Sequence, residues 1–161
     1  MKTALALYVT GLHEIGWGAA LVAITMALHG LGMIGTLRAI RWLKERTGPE
    51  PRLGAAVVVL IAAAWLITLC HLVEVFAWAG FFVWKGALPN ASTAYYVALL
   101  DYTTLGCEYD LPQNWRLLEG MIAIAGLMTF AWSTAVLLTL AQDFQDRMLA
   151  SIGRASPRQG A

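Results

Sequence analysis

Charged residues and cysteines are scarce in this sequence. Only 13% of its 161 residues are charged and 59% are hydrophobic, whereas an ordinary soluble domain is about 45–50% apolar. The two cysteines, Cys70 and Cys107, cannot define a disulfide framework, and we expect no bridge between them. The apolar residues occur in long runs, which indicates an all-α membrane protein.

Other absences narrow the function. No segment carries Arg or Lys at every third position, so we expect no voltage sensor. No combination of nucleophile, base and oxyanion-binding groups is apparent, which argues against an enzyme. The sequence has no low-complexity segment and no repeat of fixed period, and it leaves no room for a soluble regulatory domain. We therefore expect one compact membrane domain.

Three apolar segments are long enough to cross a bilayer, for which about 20 residues suffice. They are residues 15–37, 53–84 and 120–142, and the first and third contain no charged residue. Residues 76–84 are rich in aromatics, as expected where a helix leaves the lipid. Residues 1–13 resemble a signal peptide, but no cleavage site follows, so we expect them to be retained at the interface.

The basic residues are unevenly distributed. Residues 38–52 form a basic segment interrupted by Gly48-Pro49 and Pro51, and residues 147–161 form a basic tail. The excess of Lys and Arg predicts that both lie in the cytoplasm and that the N-terminus lies outside. An alternative role for the basic loop is a site for acidic lipid or a partner. The sequence then divides into residues 1–52, residues 53–146 and a tail, residues 147–161.

Residues 92–110, S-T-A-Y-Y-V-A-L-L-D-Y-T-T-L-G-C-E-Y-D, lie between the second and third spans. A helix over residues 92–103, capped by Ser92, would be about 18 Å long, which is too short for a bilayer core of about 30 Å. Such a helix must enter the membrane and turn back. The backbone after Thr103 must then be buried in protein or face water, because lipid cannot satisfy its polar groups.

The motif Thr104-Leu105-Gly106, followed by Asp110 and by Trp115-Arg116-Leu117-Leu118, resembles the pore loop of the potassium-channel family, T-V-G-Y-G-D. Residues 71–140 more closely resemble small bacterial ion channels with a T-T-L-G-Y-G-D loop. The resemblance implies a homotetramer in the bacterial inner membrane, with three transmembrane helices, a re-entrant pore helix and a filter loop in each chain. It implies potassium or another cation as the permeant ion, no other cofactor, lipid as surroundings, and neither nucleic acid nor a soluble partner.

The resemblance also assigns roles to residues by position. Monovalent cation sites would be formed at Thr104, Leu105, Gly106 and Cys107. The selectivity filter comprises Thr103, Thr104, Leu105, Gly106, Cys107 and Glu108, and the outer mouth Tyr109 and Asp110.

Two residues depart from the family pattern. Cys107 stands where the family has Tyr, and Glu108 stands where it has its second Gly. Four copies of Glu108 would form an acidic ring that reduces potassium selectivity or binds divalent ions; alternatively, Glu108 turns behind the filter. A non-glycine residue in a glycine-preferring conformation costs about 1–2 kcal/mol per chain, so we expect the loop to depart from the family's outer geometry.

His71, Glu74 and Gly126 are candidates for modulation. His71 and Glu74 share a helical face, and His71 lies about 28 Å along the helix from Arg52, near the outer membrane boundary. This pair is either a proton-sensitive strut against the pore loop or a packing pair. Gly126 is either a gating hinge or a point where another helix approaches closely.

Two other functions stay open. The chain is alternatively a non-conducting channel-like subunit, or less favourably a haem carrier using His29 and His71. His29 lies about 14 Å from Arg38 along its helix, against about 28 Å for His71, so we expect the two to lie at different depths. His13 falls outside the predicted spans. A di-iron site would need a second Glu-His pair and more carboxylates.

Overall fold

The computed structural model describes residues 11–47 and 53–155, and these residues form helices and connecting turns without a strand. The helices are α1 (Leu12–Thr47), α2 (Leu53–Trp84), α3 (Ala91–Tyr102) and α4 (Leu117–Ala155), with a 3-10 turn at Gln113–Trp115. Three of them, α1, α2 and α4, are long and apolar enough to cross a membrane. The predicted all-α fold is confirmed, and so is the presence of three helices long and apolar enough to span a membrane.

The helix boundaries test the predictions closely. The bounds predicted for α2 are confirmed. The prediction that residues 38–52 form a loop is wrong for residues 38–47, which continue α1, because Arg, Lys, Glu and Leu favour helix and the first breaker is Gly48-Pro49. The tail is helical as far as Ala155. Residues 1–10, 48–52 and 156–161, with the predicted interfacial segment and loop breakers, lie outside the described residues.

The chain divides into two compact units. The first comprises Met1–Gly30 and Cys70–Phe130, and the second comprises Leu31–Leu69 and Ala131–Ala161. The second unit has a small apolar core and two ion pairs on Asp143, whose Oδ2 lies 2.7 Å from Lys44 Nζ and whose Oδ1 lies 3.1 Å from Arg147 Nε. Both pairs are partly exposed, so they contribute little to stability.

The first unit holds the larger core, in which α3 is packed. Trp78, Phe82 and Tyr102 are fully buried there. The face that α3 buries consists mostly of small residues, which let the short helix approach its neighbours closely: Ala94, Val97, Ala98, Asp101 and Tyr102. The predicted cap Ser92 is wrong, because Asn90 caps α3 by accepting a hydrogen bond from the backbone N–H of Thr93 at 2.8 Å.

Gly126 on α4 lies directly against the end of α3. A Cβ atom at this position would overlap the carbonyl oxygen of Tyr102. Gly126 is therefore a point where another helix approaches closely, because only a residue without a side chain fits at that distance.

The first turn of α1 contacts the start of α4. The buried carboxylate of Glu14 accepts a hydrogen bond from the backbone N–H of Leu117 at 3.2 Å. A carboxylate at a helix N-terminus is stabilised by the helix dipole. The nearby His13 belongs to α1, so the prediction that it falls outside the spans is wrong.

Candidate functional site

The C-terminus of α3 ends in a compact cap that leads into the predicted filter. The backbone N–H of Leu105 donates to the carbonyl of Leu100 at 2.9 Å, and that of Thr104 donates to the carbonyl of Asp101 at 3.0 Å. These two bonds form a Schellman motif with Thr104 in the left-handed position, at φ 62°. A non-glycine residue there costs about 1–2 kcal/mol, which the capping bonds offset.

The loop after the cap is exposed in the single chain. The side chain of Leu105 is 75% exposed, and Gly106 has a positive φ of 67°. The side chains of Glu108 and Asp110 are also exposed. The left-handed conformations of this loop lie at Thr104 and Gly106 rather than at Glu108. The Sγ of Cys107 donates to the Tyr109 carbonyl at 3.3 Å, which holds a small local turn.

Asp101 lies buried one turn behind this loop. Its Oδ2 has no hydrogen-bond partner among the residues that the structure describes. Burial, with the nearby charge of Glu119, raises the pKa of the Asp101 carboxyl from 3.8 to about 6. The carboxylate of Glu119 is itself occupied, since it accepts from the backbone N–H of Leu111 at 2.6 Å. Asp101 is therefore costly to ionise in the folded chain.

This pKa shift predicts a pH-dependent effect of Asp101→Asn. Because the folded-state pKa is raised, the folded chain binds more protons than the unfolded chain between about pH 4 and pH 6, and stability falls as pH rises through that window. The substitution removes the penalty. We compare the change in free energy of unfolding that Asp101→Asn causes at two pH values. We expect this change to be more stabilising at about pH 8 than at about pH 4, by about 1–3 kcal/mol.

Chemical denaturation in detergent at both pH values measures this effect, and a packing cost that does not depend on pH cancels in the difference. Asp110→Asn is the matched control, since Asp110 is exposed on the loop. Equal effects of Asp101→Asn at the two pH values would show that Asp101 titrates normally.

A second group of polar side chains meets inside the first unit. His29 on α1 lies with Nδ1 2.9 Å from Glu74 Oε1, and His71 Nδ1 lies 3.7 Å from Glu74 Oε2. The two imidazole rings are 5.2 Å apart, centroid to centroid. All three side chains are buried. We call His29, His71, Glu74 and the hydroxyls of Tyr102 and Thr129 the buried polar cluster.

The hydroxyl of Tyr102 joins the buried polar cluster to α3 and α4. It donates to Glu74 Oε2 at 2.5 Å and contacts the Thr129 hydroxyl at 2.5 Å. It also lies 2.8 Å from His71 Nδ1. Burial and the neighbouring Glu74 carboxylate raise the pKa of this phenol, so it remains a hydrogen-bond donor. Helices α1, α2, α3 and α4 each contribute a member.

No family model, curated protein or solved structure matches this chain. The first unit brings His71 and Glu74 together with His29. The residues predicted for the filter, 103–108, form the C-cap of α3 and the loop that follows it, in which Thr103 and Cys107 are half-buried and the other residues are exposed.

The expectation that His29 and His71 lie at different depths is wrong. It took Arg38 as the end of the first helix, but α1 continues to Thr47. His29 lies 18 residues before Thr47, and His71 lies 18 residues after Leu53, so the two are at matching heights of about 27 Å. The direct contact between their rings leaves no slot for a porphyrin, which argues against the haem carrier.

Sequence reasoning missed Tyr102, Asp101 and Thr129. The Thr129 hydroxyl donates back to helix carbonyls and contacts the Tyr102 hydroxyl. One signal was available for Tyr102: a phenol inside an apolar helix needs a hydrogen-bond partner when buried. A second signal was available for α1. Leu21, Thr25 and His29 follow one another at every fourth residue, which places both polar side chains on one face of the helix.

Proposed function

We propose that this chain is a subunit of a homotetrameric cation channel of potassium-channel-like architecture in a bacterial inner membrane. The observation that carries the proposal is α3. It has 12 residues, and one of its faces is buried in the first unit. The loop that follows it is exposed and contains the residues that the sequence resemblance assigns to the filter. A helix of about 18 Å that is packed in this way between two spans is suited to re-entry rather than crossing.

The loop has features that suit a cation path. Its positive φ angles occur at Thr104 and Gly106, two residues apart, and such alternation lets neighbouring carbonyls turn toward one side. The C-terminal carbonyl end of α3 adds the negative end of a helix dipole. The exposed carboxylates of Glu108 and Asp110 add negative charge outside it. These groups attract cations rather than anions.

A single loop cannot surround an ion. Coordination by carbonyl rings requires several copies around a closed symmetry axis, and the sequence resemblance points to four. The side chains of Leu105 and Tyr109 are 75% and 60% exposed in the single chain, and a shared axis would give these two apolar side chains of one loop another surface to contact. In this arrangement the N-terminus lies outside and the C-terminus in the cytoplasm.

Ion flux from liposomes tests the proposal. The purified chain, reconstituted at known tetramer content, is expected to release potassium down its gradient, with sodium released more slowly. Glu108→Gly is expected to raise the potassium-to-sodium ratio and to relieve block by calcium, since four carboxylates at one axis bind divalent ions strongly. Glu45→Gln, which changes an exposed carboxylate of α1, is expected to leave both quantities unchanged.

Each result of this assay has a defined meaning. A tetramer that releases no cation would make the chain a non-conducting channel-like subunit. A chain that remains monomeric in lipid would overturn the proposal. Identical selectivity and calcium block in wild type and Glu108→Gly would be consistent with a pore but would rule out the acidic ring.

A further inference from the structure

We infer that His29, His71 and Glu74 form a binding site for a divalent transition-metal ion of the zinc class. The three side chains offer two imidazole nitrogens and a carboxylate oxygen, and these ligand atoms all lie within 4.8 Å of one another. Two helices, α1 and α2, supply them. The inference goes beyond the proposed channel function and does not depend on it, because one chain supplies all three ligands.

The donor set selects the class of ion. Two imidazoles and one carboxylate are the protein ligands of several zinc sites, and imidazole also suits cobalt, nickel and copper. Magnesium and calcium prefer sites built wholly from oxygen ligands. The residues therefore favour a borderline-soft divalent ion over the hard cations.

The buried carboxylate of the buried polar cluster favours a positive charge beside it. The side chains of His29 and Glu74 are 0% and 1% exposed, so the carboxylate is shielded from water. An ionised carboxylate in such surroundings needs a compensating charge or several hydrogen bonds. Without a metal ion, hydrogen bonds from the imidazole of His29 and the phenol of Tyr102 serve this purpose.

The distances are close to those that a metal ion needs. Zinc binds nitrogen and oxygen ligands at about 2.0–2.2 Å, so tetrahedral ligand atoms lie about 3.3–3.6 Å apart. The observed separations of Glu74 oxygens from His29 Nδ1 and His71 Nδ1 are 2.9 Å and 3.7 Å, on either side of that range. These two distances involve different oxygens of Glu74, and the ligand atoms of the three residues lie within 4.8 Å of one another, so side-chain rotations must bring the ligands together around the ion. An entering ion displaces any proton on a nitrogen that ligates it.

Neighbouring groups hold the ligands in place. Tyr102 donates to Glu74 Oε2 at 2.5 Å, which fixes the orientation of the carboxylate. One turn before His29, the hydroxyl of Thr25 accepts a hydrogen bond from Trp78 Nε1 at 2.9 Å, which fixes α1 against α2. Outer partners of this kind orient the ligands of a metal site.

Cobalt titration of the full chain tests the inference. The purified protein in detergent, stripped with a chelator, is titrated with Co²⁺ and followed by visible absorption. We expect one cobalt per chain with the ligand-field bands of a site that has nitrogen and oxygen ligands, and displacement by zinc. His29→Asn and His71→Asn are each expected to weaken binding by about 100-fold or more, and Tyr102→Phe by about 10–100-fold.

The matched control is His13→Asn. His13 is exposed in the first turn of α1, where its Nε2 accepts a hydrogen bond from Trp17 Nε1 at 3.0 Å, and its replacement is expected to leave cobalt binding unchanged. Wild-type protein that is folded and binds no cobalt or zinc would overturn the inference. Unchanged affinity in both His29→Asn and His71→Asn would do the same.

A measurement on wild type alone covers the case in which a variant does not fold. X-ray absorption of the zinc-loaded protein is expected to show two imidazoles and oxygen ligands at about 2.0–2.2 Å. A spectrum with one imidazole or none would rule out this site. The flux assay is separate, so loss of metal binding and loss of conduction can be told apart.

Discussion

Replacing Glu74 by alanine is expected to lower the free energy of unfolding by about 3–5 kcal/mol, the usual cost of removing one partner from a buried charge-assisted group. Both carboxylate oxygens are used: Oε1 lies 2.9 Å from His29 Nδ1, and Oε2 accepts from Tyr102. The variant removes the carboxylate that pairs with the His29 imidazole and accepts from the Tyr102 phenol, and it also leaves a cavity. Both effects lower the free energy of unfolding.

Unfolding in detergent with increasing denaturant, followed by tryptophan fluorescence, measures this change. Glu45→Ala is the control, because Glu45 is exposed on α1, and it is expected to change the free energy by no more than about 0.5 kcal/mol. A loss below about 1 kcal/mol for Glu74→Ala would mean that the hydrogen bonds of the buried polar cluster contribute little to folding.

Gly126→Val is expected to be the most damaging substitution on α4. Any Cβ at this position overlaps the carbonyl oxygen of Tyr102, which is backbone and cannot move by a simple side-chain rotation. Overpacking of this kind typically costs about 1–3 kcal/mol and occasionally more, and here α3 must shift away from α4. We expect a loss at or above the upper end of that range.

The same helix supplies the comparison. Gly120 is exposed, and a Cβ there has nothing within 4 Å, so Gly120→Val is expected to be neutral or slightly stabilising, since Val has a better helix propensity than Gly by a few tenths of a kcal/mol. The difference between the two variants in free energy of unfolding isolates the contact with Tyr102. Equal effects would show that α3 and α4 do not approach each other this closely.

The long helices and the short one follow from the sequence alone. The bounds of α2 are predictable because Pro51 and Arg52 precede a continuous apolar run, and Lys85-Gly86 follow it. The short helix α3 is predictable because Pro89 and Asn90 fix its start and Gly106 lies beyond its end. In each case the local sequence carries both a periodic or apolar run and a breaker.

The meeting of His29 with Glu74 could not be predicted in the same way. It depends on where α1 ends, and charged residues do not end a helix: Arg38, Arg41 and Lys44 continue it past the predicted membrane face. It also depends on how helices pack, which sequence spacing within one helix does not specify. The same holds for Gly126, whose neighbour Tyr102 is 24 residues away in the chain.

The contact between Glu14 and the N-terminus of α4 has a consequence for biosynthesis. Glu14 and Leu117 are separated by 103 residues. At about 5–20 residues per second, the ribosome therefore synthesises Leu117 about 5–20 s after Glu14. During that interval α1 has left the ribosome with a carboxylate whose final acceptor role is unfilled. A carboxylate that has no protein donor stays hydrated, so we expect this contact to form only after the start of α4 has been synthesised.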